Sequence, residues 1–190
     1  MRARDKTRRN RYDDKKQSAK AYPISLCCIN FMHDGNLGFL IRSAACFGAE
    51  TVHVIGSVPA RSALNASSGS LYDYVKIKKY ATPSEFLDFV KINKIRLISA
   101  EICEDSKPIA SYSFDFNDDL VLVVGNEQSG IPTEILKNSD KVHIPMPGVG
   151  FCLNTSQTAN IMLYEAIKQY EFQQEWRRQW AQEQGIYNLP

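Results

Sequence analysis

Leu120-Val121-Leu122-Val123-Val124-Gly125-Asn126-Glu127-Gln128-Ser129-Gly130-Ile131-Pro132 is the stretch that decides the fold. Five apolar, mostly β-branched residues run without polar alternation, which predicts a strand buried on both faces. A polar loop bounded by Gly125 and Gly130 follows at once, and Pro132 opens a short helix to about Lys137. A strand feeding straight through such a loop into a helix is the building unit of parallel α/β sheets. Backbone N–H groups at the junction are natural donors to a ligand. Two familiar meanings of the loop fail. A Walker A loop needs Lys after its last glycine, and Ile131 stands there. A dinucleotide fingerprint needs a second glycine at position 127, which is Glu. A plain strand–helix turn would account for the glycines but not for Glu127.

The same alternation extends outward in both directions. Ile24–Ile29, Thr51–Ile55 and Arg96–Ala100 read as buried strands, Tyr74–Tyr80 as an exposed one, and Val142–Ile144 as a short one. Asn36–Phe47 reads as a helix with Asn36 as N-cap and Gly48 as stop. Arg61–Ser70 reads as a short helix and loop, and Pro83–Lys91 as a helix. A long helix runs from about Asn154 to Glu183, with Ile161, Leu163, Tyr164, Ile167 and Tyr170 suited to docking on a core. The expected fold class is α/β, a mostly parallel sheet with helices on both faces. Ligands of such sheets sit beyond the carboxyl ends of the strands.

At 190 residues the chain is long enough for one domain with a sizeable core. Charge is distributed unevenly. Residues 1–20 hold nine Lys/Arg and three Asp/Glu, a charge of +6, whereas the rest of the chain carries −4. Residues 1–20 therefore read as a basic, flexible arm able to attract phosphates without sequence preference, or as a tail that only aids solubility. No apolar run reaches membrane-span length and no signal-peptide pattern is visible, so a cytoplasmic location is expected. Five cysteines without a CxxC pair, and three scattered histidines, predict neither a disulfide framework nor a metal site.

Two more segments carry polar chemistry. In Asn36-Leu37-Gly38-Phe39-Leu40-Ile41-Arg42, the polar ends lie nearly two helical turns apart. Gly38 permits close approach of another backbone or a ligand, and Arg42 presents a planar fork of donors suited to phosphate or an oxyanion. In Val142-His143-Ile144-Pro145-Met146, followed by Pro147 to Phe151 and then Cys152-Leu153-Asn154-Thr155-Ser156, a strand enters a Pro/Gly-rich loop of enforced shape ahead of the long helix. Asn154 could cap that helix or hold a ligand with its amide.

In order and spacing these three segments resemble the three motifs of the SpoU/TrmH family of RNA 2′-O-ribose methyltransferases, in the SPOUT superfamily. Asn36 to Arg42 resembles the N-x-G-x-x-x-R motif, and Gly125 to Gly130 the G-x-E-x-x-G motif. Ile144 to Asn154 resembles the I-P-M … S-L-N segment, and Arg61–Leu71 the family's small-residue stretch. The resemblance covers about residues 24–170. It departs at Cys152, where the family usually has Ser; a thiol is larger and a poorer hydrogen-bond donor than a hydroxyl.

What the resemblance implies is specific. The sheet would end in a C-terminal trefoil knot, and the protein would be a homodimer with its active sites near the subunit interface. Residues 21–190 would form the methyltransferase domain with its long C-terminal helix. The cofactor would be S-adenosyl-L-methionine, held by Ala100, Gly125, Asn126, Gly130, Ile144, Met146, Cys152 and Leu153. Arg42 would bind the reacting ribose-phosphate and favour loss of the 2′-hydroxyl proton, with Asn36, Glu127, Cys152 and Asn154 completing the catalytic group. The ribose 2′-oxygen would displace the sulfonium methyl in line, without a metal. The partner would be RNA, with tRNA favoured over rRNA. The expected segment order leaves no room for a separate RNA-binding domain, so the arm and the C-terminal helix, which carries Arg177 and Arg178, would supply extra contacts, while Trp176 and Trp180, four apart on one helical face, would stack on bases or, by preference, pack against the dimer partner. Two alternatives stand beside this reading: a non-catalytic RNA-binding protein that retains the SPOUT fold, and a cysteine hydrolase pairing Cys152 with His143.

Overall fold

The structure is a computed structural model and describes residues 7–183. Uninterrupted apolar runs become the middle of the sheet. Strands β1 (Ile24–Ile29), β2 (Thr51–Ile55), β3 (Lys76–Tyr80), β4 (Arg96–Ala100), β5 (Lys107–Pro108), β6 (Leu120–Val124) and β7 (Asp140–His143) form one sheet. Their order is β3-β2-β1-β6-β4-β7-β5, and every pairing is parallel. All five residues of β6 are buried because helices cover both of its faces. The lysine-bearing β3 lies at the edge, where exposed Lys76, Lys78 and Lys79 discourage pairing with another chain.

Helices α2 (Asp34–Phe47), α3 (Arg61–Ser68) and α6 (Thr155–Glu183) bury Leu40, Ile41, Leu64, Met162 and Leu163 in one core layer. Helices α4 (Pro83–Ile92) and α5 (Thr133–Leu136) bury Phe86, Val90 and Ile135 in the other. Gly38 serves the packing of α2 on α3: a Cβ there would lie 1.8 Å from Ser67 Oγ. No helix of the described residues is long and apolar enough to cross a membrane.

The structure differs from the sequence reading at several places. The strand read as Tyr74–Tyr80 begins at Lys76, because Tyr72–Tyr74 form a 3-10 turn. Within the basic arm, α1 (Arg8–Lys16) is helical, although it buries none of its residues. It is held by Tyr12, whose hydroxyl donates to Gly69 O at 3.2 Å and whose ring meets Tyr74 edge-on at 5.7 Å. Strand β5 is only two residues long, too short to leave a pattern. β7 runs from Asp140 to His143, two residues earlier at its start than its apolar core suggests. Helix α2 begins at Asp34, so Asn36 is not its cap but sits in its first turn. The side chain of Asn36 is engaged elsewhere, as described below.

One buried titratable group stands apart from the strand ends. His53 is 2% exposed on β2, packed among Tyr80, Phe86 and Phe89, with Nδ1 at 2.9 Å from the Tyr80 hydroxyl. Burial, reinforced by nearby Lys78, lowers its pKa from 6.5 to about 4. The unfolded chain therefore binds a proton that the folded chain refuses between those values. Stability is fully present above pH 6.5 and declines as pH falls toward 4. The expected loss from this group between pH 7 and pH 5 is about 2 kcal/mol. Urea titrations at the two pH values should show it, and His53→Gln, which keeps a partner for Tyr80 without titrating, should remove it. An equal pH dependence in the variant would show that other groups are responsible.

Candidate functional site

Parallel strands bring the loops that follow β1, β4, β6 and β7 to one edge of the sheet, and hydrogen bonds lock them together there. The loop after β6 closes on itself: Asn126 and Gly130 exchange backbone bonds at 3.0 and 3.1 Å. Asn126 Oδ1 accepts from the N–H groups of Gln128 and Ser129, and its Nδ2 donates to Asn30 O, which ties the loop to the end of β1. Gly125 is required by this closure, since a Cβ on it would lie 2.5 Å from the Gly130 carbonyl carbon. Gly130 takes a positive φ of 67° that glycine adopts without strain.

Glu127 begins a directional relay. Its Oε2 accepts from Met32 N–H at 2.9 Å and its Oε1 from Asn36 Nδ2 at 2.6 Å. Asn36 Oδ1 accepts from Asn154 Nδ2 at 2.9 Å. Asn154 Oδ1 accepts from Ser156 N–H at 2.9 Å and from Ser156 Oγ at 2.6 Å, which caps α6. The orientation of both amides is forced. A carboxylate only accepts and a backbone N–H only donates, so each amide must turn its NH2 toward Glu127 and its oxygen toward α6. Burial works against the charge of Glu127, but the bonds from Met32 and Asn36 outweigh it and hold the carboxyl below its usual range.

The relay forms the wall between two cavities. The larger, about 740 Å³, is lined by Ala100, Gly125, Asn126, Gly130, Ile144, Met146, Cys152 and Leu153, all anticipated from the sequence, together with Asn36, Glu127 and Asn154. The second, about 570 Å³, is lined by Phe39, Arg42, Ser43, Cys46, Gln157 and Asn160, and shares Asn36 and Asn154 with the first. Arg42 is thus placed on the far side of the relay from the larger cleft. It is exposed and makes no hydrogen bond or ion pair with the described residues. Cys152 is exposed at the mouth of the larger cleft. His143 does not pair with it: Nδ1 of His143 lies 2.8 Å from Ser106 Oγ.

The lining also holds residues that were not anticipated, among them Glu101, Thr155 and Ser129. Glu101, at the end of β4, accepts from Ile131 N–H through Oε2 at 3.2 Å, with Oε1 left over. Thr155 Oγ1 is, among the described residues, the one buried side-chain polar atom without a partner, and its residue lines the same cleft. Ser129 completes the polar rim. A charged residue immediately after a buried strand is the signal that would have found Glu101; Thr155 leaves none. The cleft combines apolar walls (Ala100, Val124, Ile131, Leu136, Ile144, Leu153) with two carboxylates, and no Lys or Arg lines it. Such a lining suits a flat heteroaromatic group joined to hydroxyls and a cationic centre. Among the described residues no group of His, Cys, Asp and Glu is placed to hold a metal ion.

The fold and the paired cavities define the class: an α/β protein that takes its ligands beyond the carboxyl ends of a parallel sheet. Within that class the chain belongs to the SpoU rRNA Methylase family, whose model matches residues 23–164. It is 31% identical over 144 residues to the 23S rRNA (uridine(2479)-2'-O)-methyltransferase of Streptomyces viridochromogenes, a match covering 71% of this chain and 49% of that protein. It is 27% identical over 164 residues to the tRNA (guanosine(18)-2'-O)-methyltransferase of Aquifex aeolicus, covering 85% and 71%. The crystal structure of the SpoU methyltransferase AviRb of Streptomyces viridochromogenes, in complex with the cofactor AdoMet, matches with a TM-score of 0.68 and 27% identity over 80% of this chain and 59% of that one. The chain therefore spans about half the length of one of these relatives and most of the other.

Breaking the relay should loosen the site. Asn36→Ala leaves Glu127 and Asn154 without their shared partner, at an expected cost of about 2 kcal/mol in urea unfolding. Asn36→Asp, nearly the same shape, should cost at least as much at neutral pH because a second carboxylate then faces Glu127. An Asp variant as stable as the parent would show that the relay does not hold the loops together.

Proposed function

We propose that this protein transfers a methyl group from S-adenosylmethionine to a ribose 2′-hydroxyl of RNA, with tRNA as the favoured substrate. The observation that carries the reading is the common wall of Asn36 and Asn154 between the two cavities. It sets a cofactor-sized cleft beside a pocket whose cation, Arg42, has no hydrogen-bond or ion-pair partner among the described residues. Family membership and the AdoMet-bound relative support the choice of cofactor. When bound, S-adenosylmethionine supplies an electrophilic methyl group on sulfur.

The chain's own residues supply position and charge. Ala100, Gly125, Ile144 and Leu153 line a surface for the adenosine, and Glu101 Oε1 offers an acceptor to sugar hydroxyls. Met146 and Leu153 make no hydrogen bond with the described residues, so their backbone groups are open to a ligand. Arg42 takes the phosphate beside the reacting ribose and stabilises negative charge as the 2′-oxygen loses its proton. Asn36, Glu127 and Asn154 keep the loops in register, so the two ligands meet in a fixed geometry. Cys152 stands where the family's Ser would meet the ribose or phosphate and is compatible with turnover, because the relay beside it is intact.

Two further features belong to this reading. A trefoil knot is supported by the order of insertion: β6 enters between β1 and β4, and β7 between β4 and β5. A homodimer is supported by exposed Phe39 on α2 and exposed Ile161 and Tyr164 on α6, two helices that pack together. The preference for tRNA rests on likeness to the tRNA enzyme, while a 23S rRNA enzyme is a comparable relative. The arm's first six residues and the side chain of Trp180 lie outside the described residues.

The test is calorimetric titration with S-adenosylmethionine, followed by incubation with bulk tRNA or rRNA and nucleoside analysis. Micromolar binding is expected, lost in Gly125→Asp, with 2′-O-methylated nucleoside appearing in one RNA pool. Arg42→Ala should keep cofactor binding and lose methylation. Binding by the parent without methylation of either pool would favour an RNA-binding protein that retains only the fold. Removing residues 1–20 should weaken RNA binding and flatten its dependence on salt; unchanged affinity would exclude a role for the arm.

A further inference from the structure

Ahead of α6, beside the larger cavity, lies a loop with an exposed tip. Gly148 and Gly150 each have open space where a Cβ would stand. Val149 is 96% exposed and Phe151 is 90% exposed, against 49% for Phe39 and 58% for Tyr164 on the helices. The Phe151 ring pairs with no other aromatic ring among the described residues. An apolar ring held this far into water gains nothing for the fold.

Its position in the chain decides what meets it. The next two residues, Cys152 and Leu153, line the larger cleft, and Asn154 lines both cavities. Phe151 therefore stands on the rim beside the wall where cofactor and ribose are proposed to meet. A polynucleotide whose ribose reaches that wall and whose phosphate reaches Arg42 carries its neighbouring bases across this rim. The exposed face of an aromatic ring is the side chain best suited to receive an unstacked base.

We propose that Phe151 is an RNA contact, stacking on a nucleobase at or next to the methylated nucleotide. The inference rests on the RNA methyltransferase reading and adds a substrate contact at a position to which the family resemblance assigns no role. Stacking is tolerant of base identity, so Phe151 holds the target in place without reading its sequence. The glycines on either side of Val149 let the ring adjust to a base.

The experiment measures binding of dye-labelled single-stranded oligouridylate and oligoadenylate by anisotropy, with S-adenosylmethionine titrated into the same proteins. Phe151→Ala is expected to weaken RNA binding roughly ten- to a hundredfold. The slope of affinity against salt should not change, because no phosphate contact is lost. Phe151→Tyr should bind RNA close to the parent, whereas Phe151→Leu, apolar but without a ring, should bind as poorly as the Ala variant. Cofactor affinity and sedimentation should be the same for all four proteins. RNA binding unchanged in the Ala variant, or restored by Leu, overturns the stacking role. A change in sedimentation for the Ala variant shows instead that a second copy covers the ring. A parent that binds the cofactor but neither RNA defeats the RNA reading itself, which no Phe151 variant is needed to detect.

Discussion

Everything at the strand ends depends on one chain of hydrogen bonds, from the Glu127 carboxylate through Asn36 and Asn154 to the N-terminus of α6. It joins the loop after β6, the first turn of α2 and the last loop of the domain, none of which is close to another in sequence. Its energy is that of a few bonds, about 1–3 kcal/mol each for a charged partner. Its larger effect is on direction. A group that only accepts stands at one end and a group that only donates at the other, so neither amide can turn over without losing its bonds. The wall between the cavities thereby has one shape.

The all-parallel sheet makes that chain possible. Because every strand runs the same way, the loops after β1, β6, β4 and β7 emerge side by side, in the order the strands pair. An antiparallel arrangement would have sent alternate loops to the opposite end. The glycines at 125 and 130 allow the loop after β6 to fold so tightly that its two ends touch, which turns Glu127 toward α2.

Much of this was legible in the sequence, for a physical reason. Buried parallel strands are largely apolar, so β1, β2, β4 and above all β6 stand out, and a carboxylate between two glycines after such a strand has no role in a core. Ala100, Gly125, Asn126 and Ile144 come to one cleft because they sit at strand ends, where the topology determines position, whereas Met146, Cys152 and Leu153 reach it from the loop ahead of α6. What stayed hidden depends on contact rather than pattern. The bond from Asn36 to Glu127 spans 91 residues and the bond to Asn154 spans 118, and Asn36 read locally as a helix cap. Helix α1 buries nothing and so has no periodicity to read, and β5 has only two residues. The separation of Arg42 from the larger cleft follows from which face of α2 it occupies, which spacing alone does not give.

The position of β6 has a consequence for how the protein is made. The most central strand of the sheet is also among the last to leave the ribosome. Until Leu120–Val124 emerges, β1 and β4 each lack the neighbour that covers one edge, although both are complete and bury most of their residues in the finished fold. The growing chain therefore carries the open edge of β1 from residue 30 onward, joined by that of β4 from residue 101, until β6 follows at residue 120, the condition under which nascent chains pair wrongly with one another.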